Sequence, residues 1–164
     1  MTFLEEVAAA LVAAGRAVDV DAEMATIDVA DDAAGRVLAV VRPVARAVTF
    51  YAVHPRTVPA EGLAAVGELV TRATADLLDA ALELDLATGA VAARFPVVLG
   101  ELEVGAAALG DLLDTAVGLV ATTLQRYTDA IDDVGAGRVD ARAAAVAVRT
   151  APVEALGEEL RFDL

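Results

Sequence analysis

The 164-residue chain contains no Lys, Cys, Ser, Asn or Trp, and it has a single Gln and a single His. Without Ser and Cys the usual nucleophiles of acyl transfer are missing, and without Lys neither a Schiff base nor a P-loop lysine can form. Thiolate-bound zinc and iron–sulfur clusters are excluded as well, because there is no thiol. The composition therefore argues against a covalent or zinc-dependent enzyme, and the lack of cysteine leaves the redox compartment open.

Acidic residues dominate the charge of the chain. All 12 basic residues are Arg, against 26 acidic residues, so the net charge is -14 and the pI is near 4.2. The arginines are scattered singly, whereas binding to a phosphate backbone needs clustered cations, so no nucleic acid is expected as a partner. A negative field of this kind favours solubility and basic partners.

Neither an export signal nor a membrane span is predicted. The apolar start MTFLEEVAAALVAAGR carries Glu5 and Glu6 where a secretory signal carries positive charge. The longest uncharged run in an apolar stretch, Thr115 to Gln125, is shorter than the ~20 residues of a membrane-spanning helix. We therefore expect a soluble, cytoplasmic protein with no membrane contact.

Hydrophobic periodicity predicts an α+β fold, in which helices pack on a five-stranded antiparallel sheet. The predicted order is α-β-β-β-α-β-β-α plus a short C-terminal helix, in one domain over residues 1–164 with a core at about 3–148 and a helical extension at about 150–164. The predicted elements are a helix capped by Thr2 and Glu5, strands Met24 to Val29, Arg36 to Arg42 and Ala47 to His54, a helix from Leu63 to Leu78, a hairpin from Leu82 to Leu99, a helix from about Val104 to Tyr127 or beyond, and a helix from Ala141, after a cap at Asp140, to Arg149.

The segment YTDAIDDVGAG, residues 127–137, places three aspartates before two glycines. A calcium loop starting at Asp129 would need an oxygen ligand at its third position and Gly at its sixth, but these are Ile131 and Val134. A phosphate cradle would need its glycines before a helix rather than after one. The pattern therefore predicts a solvated helix end with a glycine stop.

The other acidic residues are predicted to be solvated charges or connections. Two D-L-L-D motifs, Asp76/Asp79 and Asp111/Asp114, could hold magnesium, but each pair lies opposite an apolar helical stripe. The acidic residues in turn-like segments are Asp19, Asp21, Glu23, Asp31 and Asp32. We therefore predict no catalytic, cofactor-binding or metal-binding residue, and no cofactor.

The single histidine, His54, ends the third predicted strand, which has two partly apolar faces. With no Ser, Cys or second His it cannot form a triad, so it is predicted to be structural, as a cap of the strand end. The strand alternates between Val48, Phe50 and Ala52 on one face and Thr49, Tyr51 and Val53 on the other. Since helices can cover one face, the other is expected to meet a second copy or a client.

Three stretches resemble the YbjN family and the related type III secretion chaperone-like fold: AVTFYAVHPRTVP, ALELDLATGAVAARFPVVL and DLLDTAVGLVATTLQRYTDAIDDVGAG. The resemblance covers about residues 3–148. In that family the second helix often carries an asparagine near its middle, where this chain has Thr74. Members are described as chaperone-like, peptide-binding or regulatory proteins, and the secretion-chaperone branch is generally dimeric. The resemblance therefore implies binding rather than catalysis.

Two functions from different classes remain open. The favoured hypothesis is a non-catalytic, homodimeric, chaperone-like or regulatory module that holds a peptide or partly unfolded protein client by strand addition or in a groove. The alternative is a carboxylate-based Mg- or Ca-dependent enzyme acting on a phosphate ester, because Asp and Glu are the only abundant reactive groups.

The second helix predicts the homodimer, because small residues flank its apolar stripe and would let two copies approach closely. These residues are Ala64, Ala65, Gly67, Ala73 and Ala75. Residues 60–79 or the adjoining sheet edge are expected to form much of an interface of about 1,000 Å² or more.

Overall fold

In the computed structural model, which describes residues 1–151, one antiparallel sheet carries helices on one of its faces. Within this range the six strands follow the order β1-β2-β3-β4-β6-β5. The strands are β1 (Val18–Asp21), β2 (Thr26–Asp31), β3 (Gly35–Arg42), β4 (Ala47–Val53), β5 (Ala81–Leu84) and β6 (Val91–Val98). The helices are α1 (Phe3–Ala13), α2 (Leu63–Asp76), α3 (Ala106–Gly135) and α4 (Ala141–Thr150), with one 3-10 turn (Ala60–Gly62) before α2. The predicted α+β class is confirmed; the predicted C-terminal extension, beyond residue 151, lies outside the described residues.

The prediction of five strands is wrong, because the acidic segment after α1 forms the edge strand β1. It pairs with β2 in the register Val18↔Val29. The V-D-V-D alternation has the period of a strand, but half of its residues are acidic, which favours the predicted connection. The element order is therefore α-β-β-β-β-α-β-β-α-α, and Met24 lies exposed in the β1–β2 turn rather than in β2.

α2 and β5 end earlier than their periodicity predicts. α2 ends at Asp76, and Leu78, which was assigned to its apolar stripe, is 98% exposed. β5 ends at Leu84, and Leu86 lies in the following turn, where the Asp85 carboxylate accepts a hydrogen bond of 2.8 Å from the Ala87 amide. Asp85 therefore ends the strand through its local hydrogen bonding.

α3 is the core helix and packs against β2, β3, β4 and β6. The inner face of the sheet, which α3 covers, includes the fully buried Val29, Val37 and Phe50. α1, α2 and α4 all contact α3. Burial also raises the pKa of Tyr127, which lies on the covered side of α3. α3 is apolar and long enough to match a membrane span, yet half of that stretch is buried inside the fold, as in the core helix of a water-soluble domain.

The glycine stop predicted for α3 is confirmed. α3 ends at Gly135, and Gly137 has a φ of 69°. The Arg138 amide donates to the Asp133 carbonyl at 2.8 Å and the Gly137 amide donates to the Val134 carbonyl at 3.0 Å. These two bonds form a Schellman motif, in which glycine adopts the left-handed conformation at little cost.

Candidate binding surfaces

The face of the sheet away from α3 carries a mainly apolar strip, which includes the buried Thr49 and is bordered by Arg94. The register places Tyr51 of β4 between Leu38 of β3 and Arg94 of β6. The strip, called the outer strip below, consists of Leu38, Val40, Thr49, Tyr51, Val53, Pro96 and Val98. Val53 and Val98 are 47% and 64% exposed, whereas Phe50 on the inner face is fully buried. Of the two faces predicted for this strand, the helices of residues 1–151 cover only the one that contains Phe50.

The edge of the sheet at β5 is closed by a side chain of α2. The Thr74 hydroxyl donates to the Leu82 carbonyl at 3.1 Å and accepts from the Leu82 amide at 3.0 Å. Both backbone groups of Leu82 are therefore paired within the chain, which protects this edge from pairing with another strand. This position, where the resembled family often has asparagine, holds helix and strand together.

Within the described residues, no strand pairs with the opposite edge, at β1. The Ala30 amide donates to the Ala17 carbonyl at 3.0 Å, so the alternation of an antiparallel ladder turns the backbone groups of Val18 and Val20 outward. Asp19 and Asp21, predicted to lie in a connection, are exposed on this strand. The charge at this edge favours a basic strand over an acidic one.

His54 is buried directly after β4, and only one of its ring nitrogens has a partner. Nδ1 lies 2.8 Å from the Arg56 carbonyl oxygen and 3.3 Å from the Arg56 amide nitrogen. The longer contact would need a lone pair on Nδ1, but we assign a proton to Nδ1 because two lone pairs would repel at the shorter distance. Nε2 lies 3.5 Å from Oδ1 of Asp132 and has no hydrogen-bond partner within residues 1–151. The Nδ1 contact agrees with the predicted strand-end cap, but the unpaired Nε2 has no role in it.

A cavity of about 350 Å³ lies beside His54 at the end of α3. The Arg56 guanidinium spans Asp132, donating through Nε to Oδ1 at 3.0 Å and through Nη2 to Oδ2, and this pairing raises the pKa of Arg56. Arg138, also in the cavity wall, donates to Asp133 at 2.8 Å. The Asp132 side chain is only 18% exposed, so the predicted solvation of this helix end is wrong for Asp132.

Two close backbone contacts fix the loop that forms one wall of this cavity. A Cβ atom on Gly62 would lie 2.5 Å from the Gly135 carbonyl oxygen, so the turn before α2 packs directly on the end of α3. A Cβ atom on Gly89, where φ is 75°, would overlap the Val58 carbonyl, and the Val58 amide donates to Gly89 at 2.8 Å. The backbone at Val58 is therefore held against the β5–β6 turn, and the turn that follows the loop is held against the end of α3.

Arg16 forms a second ionic cluster, between the β2–β3 turn and α3. It donates to Asp114 at 2.6 Å and to Asp31 at 2.9 Å. Burial alone would raise the pKa of Asp31, but hydrogen bonds from the Ala34 amide and from Arg16 outweigh it and lower that pKa. Asp31 is the last residue of β2, where its carboxylate accepts from the turn amides, rather than a turn residue as predicted. Asp114 is part of an ion pair rather than a solvated charge.

The remaining predicted carboxylate pairs do not converge. Asp79 and Asp111 are exposed, as predicted, and Asp76 lies 3.7 Å from Arg149. Within residues 1–151 no three His, Asp or Glu side chains form a group that could hold a metal ion. No pattern in the sequence indicates that His54 and Asp132 lie together, since they are 78 positions apart and belong to different elements.

The small residues of α2 are partly covered by the chain itself. Ala73 is fully buried, and α2 packs against α3, α4 and β5. The exposed side of α2 carries Ala64, Ala75 and an ion pair of 2.7 Å between Glu68 and Arg72. A second copy would therefore meet a polar side with two small residues rather than the predicted second apolar stripe.

Comparisons with known protein families, with characterised proteins and with solved structures found no match to this chain. The resemblance to the YbjN family accordingly stays a prediction that rests on the three stretches quoted above.

Proposed function

We propose that this protein is a non-catalytic, chaperone-like binding module that holds an apolar segment of another protein on the outer strip. The observation that carries the proposal is the exposure of the strip: Val53 and Val98 are 47% and 64% exposed on the sheet face opposite the helices. Exposed apolar side chains grouped on one uncovered sheet face favour a protein contact site. Aspartates at the β1 edge favour clients with basic residues beside the apolar segment.

Binding on the outer strip needs no reactive group, which agrees with the lack of nucleophiles in the chain. The open β1 edge would add backbone hydrogen bonds to the same client. The carboxylate-based enzyme has no comparable observation in its favour, since the described acidic side chains form no group of three.

The proposal is tested with a reduced and alkylated, permanently unfolded basic protein as client. Val53→Glu and Val98→Glu place a charge in the outer strip at exposed positions. Each is expected to weaken binding about threefold to tenfold, because full burial of such a side chain contributes about 1.5–3 kcal/mol and these two are about half exposed before binding. Val44→Glu is the matched control, since Val44 is fully exposed in the β3–β4 turn. Equal affinity of all three variants, measured by fluorescence anisotropy, would refute the proposal.

Homodimer formation through α2 is the second part of the proposal. Since Ala73 is buried, its replacement would disturb the core, and Ala75→Arg on the exposed side is the informative change. We expect a dimeric mass by light scattering at micromolar protein and a shift toward monomer in Ala75→Arg, with Ala33→Arg, an exposed alanine in the β2–β3 turn, as control. A monomeric mass of the unmodified chain would end this part and leave the outer strip proposal standing.

A further inference from the structure

We propose that the cavity beside His54 binds a primary ammonium group carried on a short alkyl chain. The first reason is His54 itself, whose side chain is 1% exposed. With the proton assigned to Nδ1, Nε2 of the neutral ring is an acceptor, and it has no hydrogen-bond partner within residues 1–151. Because buried polar atoms are nearly always paired, this position calls for a donor.

Asp132 supplies a second acceptor beside the first. Its Oδ1 lies 3.5 Å from Nε2 of His54, and both residues line the cavity. An ammonium nitrogen carries three N–H donors and fits between two such acceptors. Gly135, the last residue of α3, also lines the cavity, and the C-terminal end of a helix favours a positive charge.

An anion fits this cavity less well than a cation. Arg56 and Arg138 lie in its wall, but each already pairs with a carboxylate of α3. A bound anion would add negative charge at the negative end of that helix. Water can also pair with the two acceptors, since the cavity of about 350 Å³ has room for it. The proposed ammonium group replaces that water and adds a charge-assisted hydrogen bond to Asp132.

The walls of the cavity suit an alkyl chain. The chain contains no lysine, so a primary ammonium group on an alkyl chain must come from another molecule. Val58, Pro59 and Ile131 form the apolar part of the lining. Arg56 places a guanidinium on Asp132, but it makes no hydrogen bond to Nε2 of His54. Its side chain is 68% exposed, so an incoming ammonium group can compete with it for the carboxylate.

The test uses n-butylamine, a mimic of the lysine side chain, and follows the ring resonances of the single histidine by NMR. We expect these signals to shift saturably with butylamine and to stay unchanged with tetramethylammonium, which is cationic but has no N–H donor.

A capped tripeptide, acetyl-Gly-Lys-Gly-amide, forms the second arm. A response to butylamine alone identifies a free amine as the ligand, and a response to the tripeptide identifies a lysine side chain of a partner. No saturable response in either arm, or an equal response to tetramethylammonium, would overturn the proposal.

Three variants sharpen the test. Asp132→Asn is expected to weaken butylamine binding at least about tenfold, since it removes a charged acceptor. Asp111→Asn removes the same charge at the other end of α3 and is expected to leave the affinity unchanged. Arg56→Gln removes the competing guanidinium and is expected to strengthen binding. If Asp132→Asn fails to fold, Arg56→Gln decides the matter, because an unchanged or weaker affinity there contradicts the proposed competition. The outcome is independent of the outer strip.

Discussion

Thr74 offers a direct test of how the β5 edge is held. Thr74→Val keeps the shape of the side chain and nearly the same helix propensity, while it removes both hydrogen bonds to Leu82. Each bond contributes about 1 kcal/mol net, so the free energy of unfolding should fall by about 2 kcal/mol. For a chain of this size that corresponds to a melting temperature lower by about 4–8 °C.

The matched control is Thr71→Val on the same helix. The Thr71 hydroxyl is exposed and bonds only the Gly67 carbonyl, at 2.8 Å, so the expected change is within about 0.5 kcal/mol. Thr74→Ser retains the hydroxyl and should recover at least half of the loss. Urea unfolding followed by circular dichroism measures all three variants. If Thr74→Val lowers the free energy of unfolding no more than Thr71→Val does, the Thr74 hydroxyl does not stabilise the β5 edge as proposed.

Two further stability predictions follow from contacts described above. Gly62→Ala should lower the free energy of unfolding by about 1–3 kcal/mol, because its Cβ would meet the Gly135 carbonyl. Gly118 lies in α3 with open space around it, so Gly118→Ala should instead raise the free energy of unfolding by about 0.5–1 kcal/mol. Equal effects of the two changes in thermal denaturation would contradict the reasoning. The folded-state pKa of Asp31 is lowered, so its ionised form stabilises the fold above the unfolded pKa of about 3.9, and this stabilisation is lost as the pH falls through the folded pKa. As the pH is lowered below about 5, the free energy of unfolding, measured with urea, should therefore fall less in Asp31→Asn than in the unmodified chain. Parallel plots of this free energy against pH would count against the ion cluster.

Local patterns predicted those parts of the fold that local physics determines. The capping box of Thr2 and Glu5 is present at the start of α1, and the Asp140 side chain caps α4 by accepting from the Ala143 amide at 2.9 Å. The glycine stop of α3 was predicted for the same reason, since it depends on the conformation of single residues. β1 was missed because an exposed edge strand need not carry apolar residues on both faces.

The candidate binding surfaces could be predicted only in part. The apolar alternation of β4 predicted a second uncovered face, because strand periodicity is visible in the sequence. The cavity beside His54 was not predicted, since it needs Asp132 brought next to β4 by the packing of α3. Likewise, no local signal shows that α4 covers part of α2, so the small residues of α2 were assigned to a second copy instead.

The packing of α3 across four strands also sets an order for biosynthesis. The meander from β1 to β4 is complete at residue 53, whereas α3 ends at residue 135. At about 5–20 residues per second, translation of the intervening stretch takes about 4–16 s. During this interval Val29, Val37 and Phe50 lie on a sheet face whose cover has not yet been made. A nascent chain stalled at this stage should therefore bind molecular chaperones of the cell. Its release from them should coincide with the emergence of α3 from the ribosome.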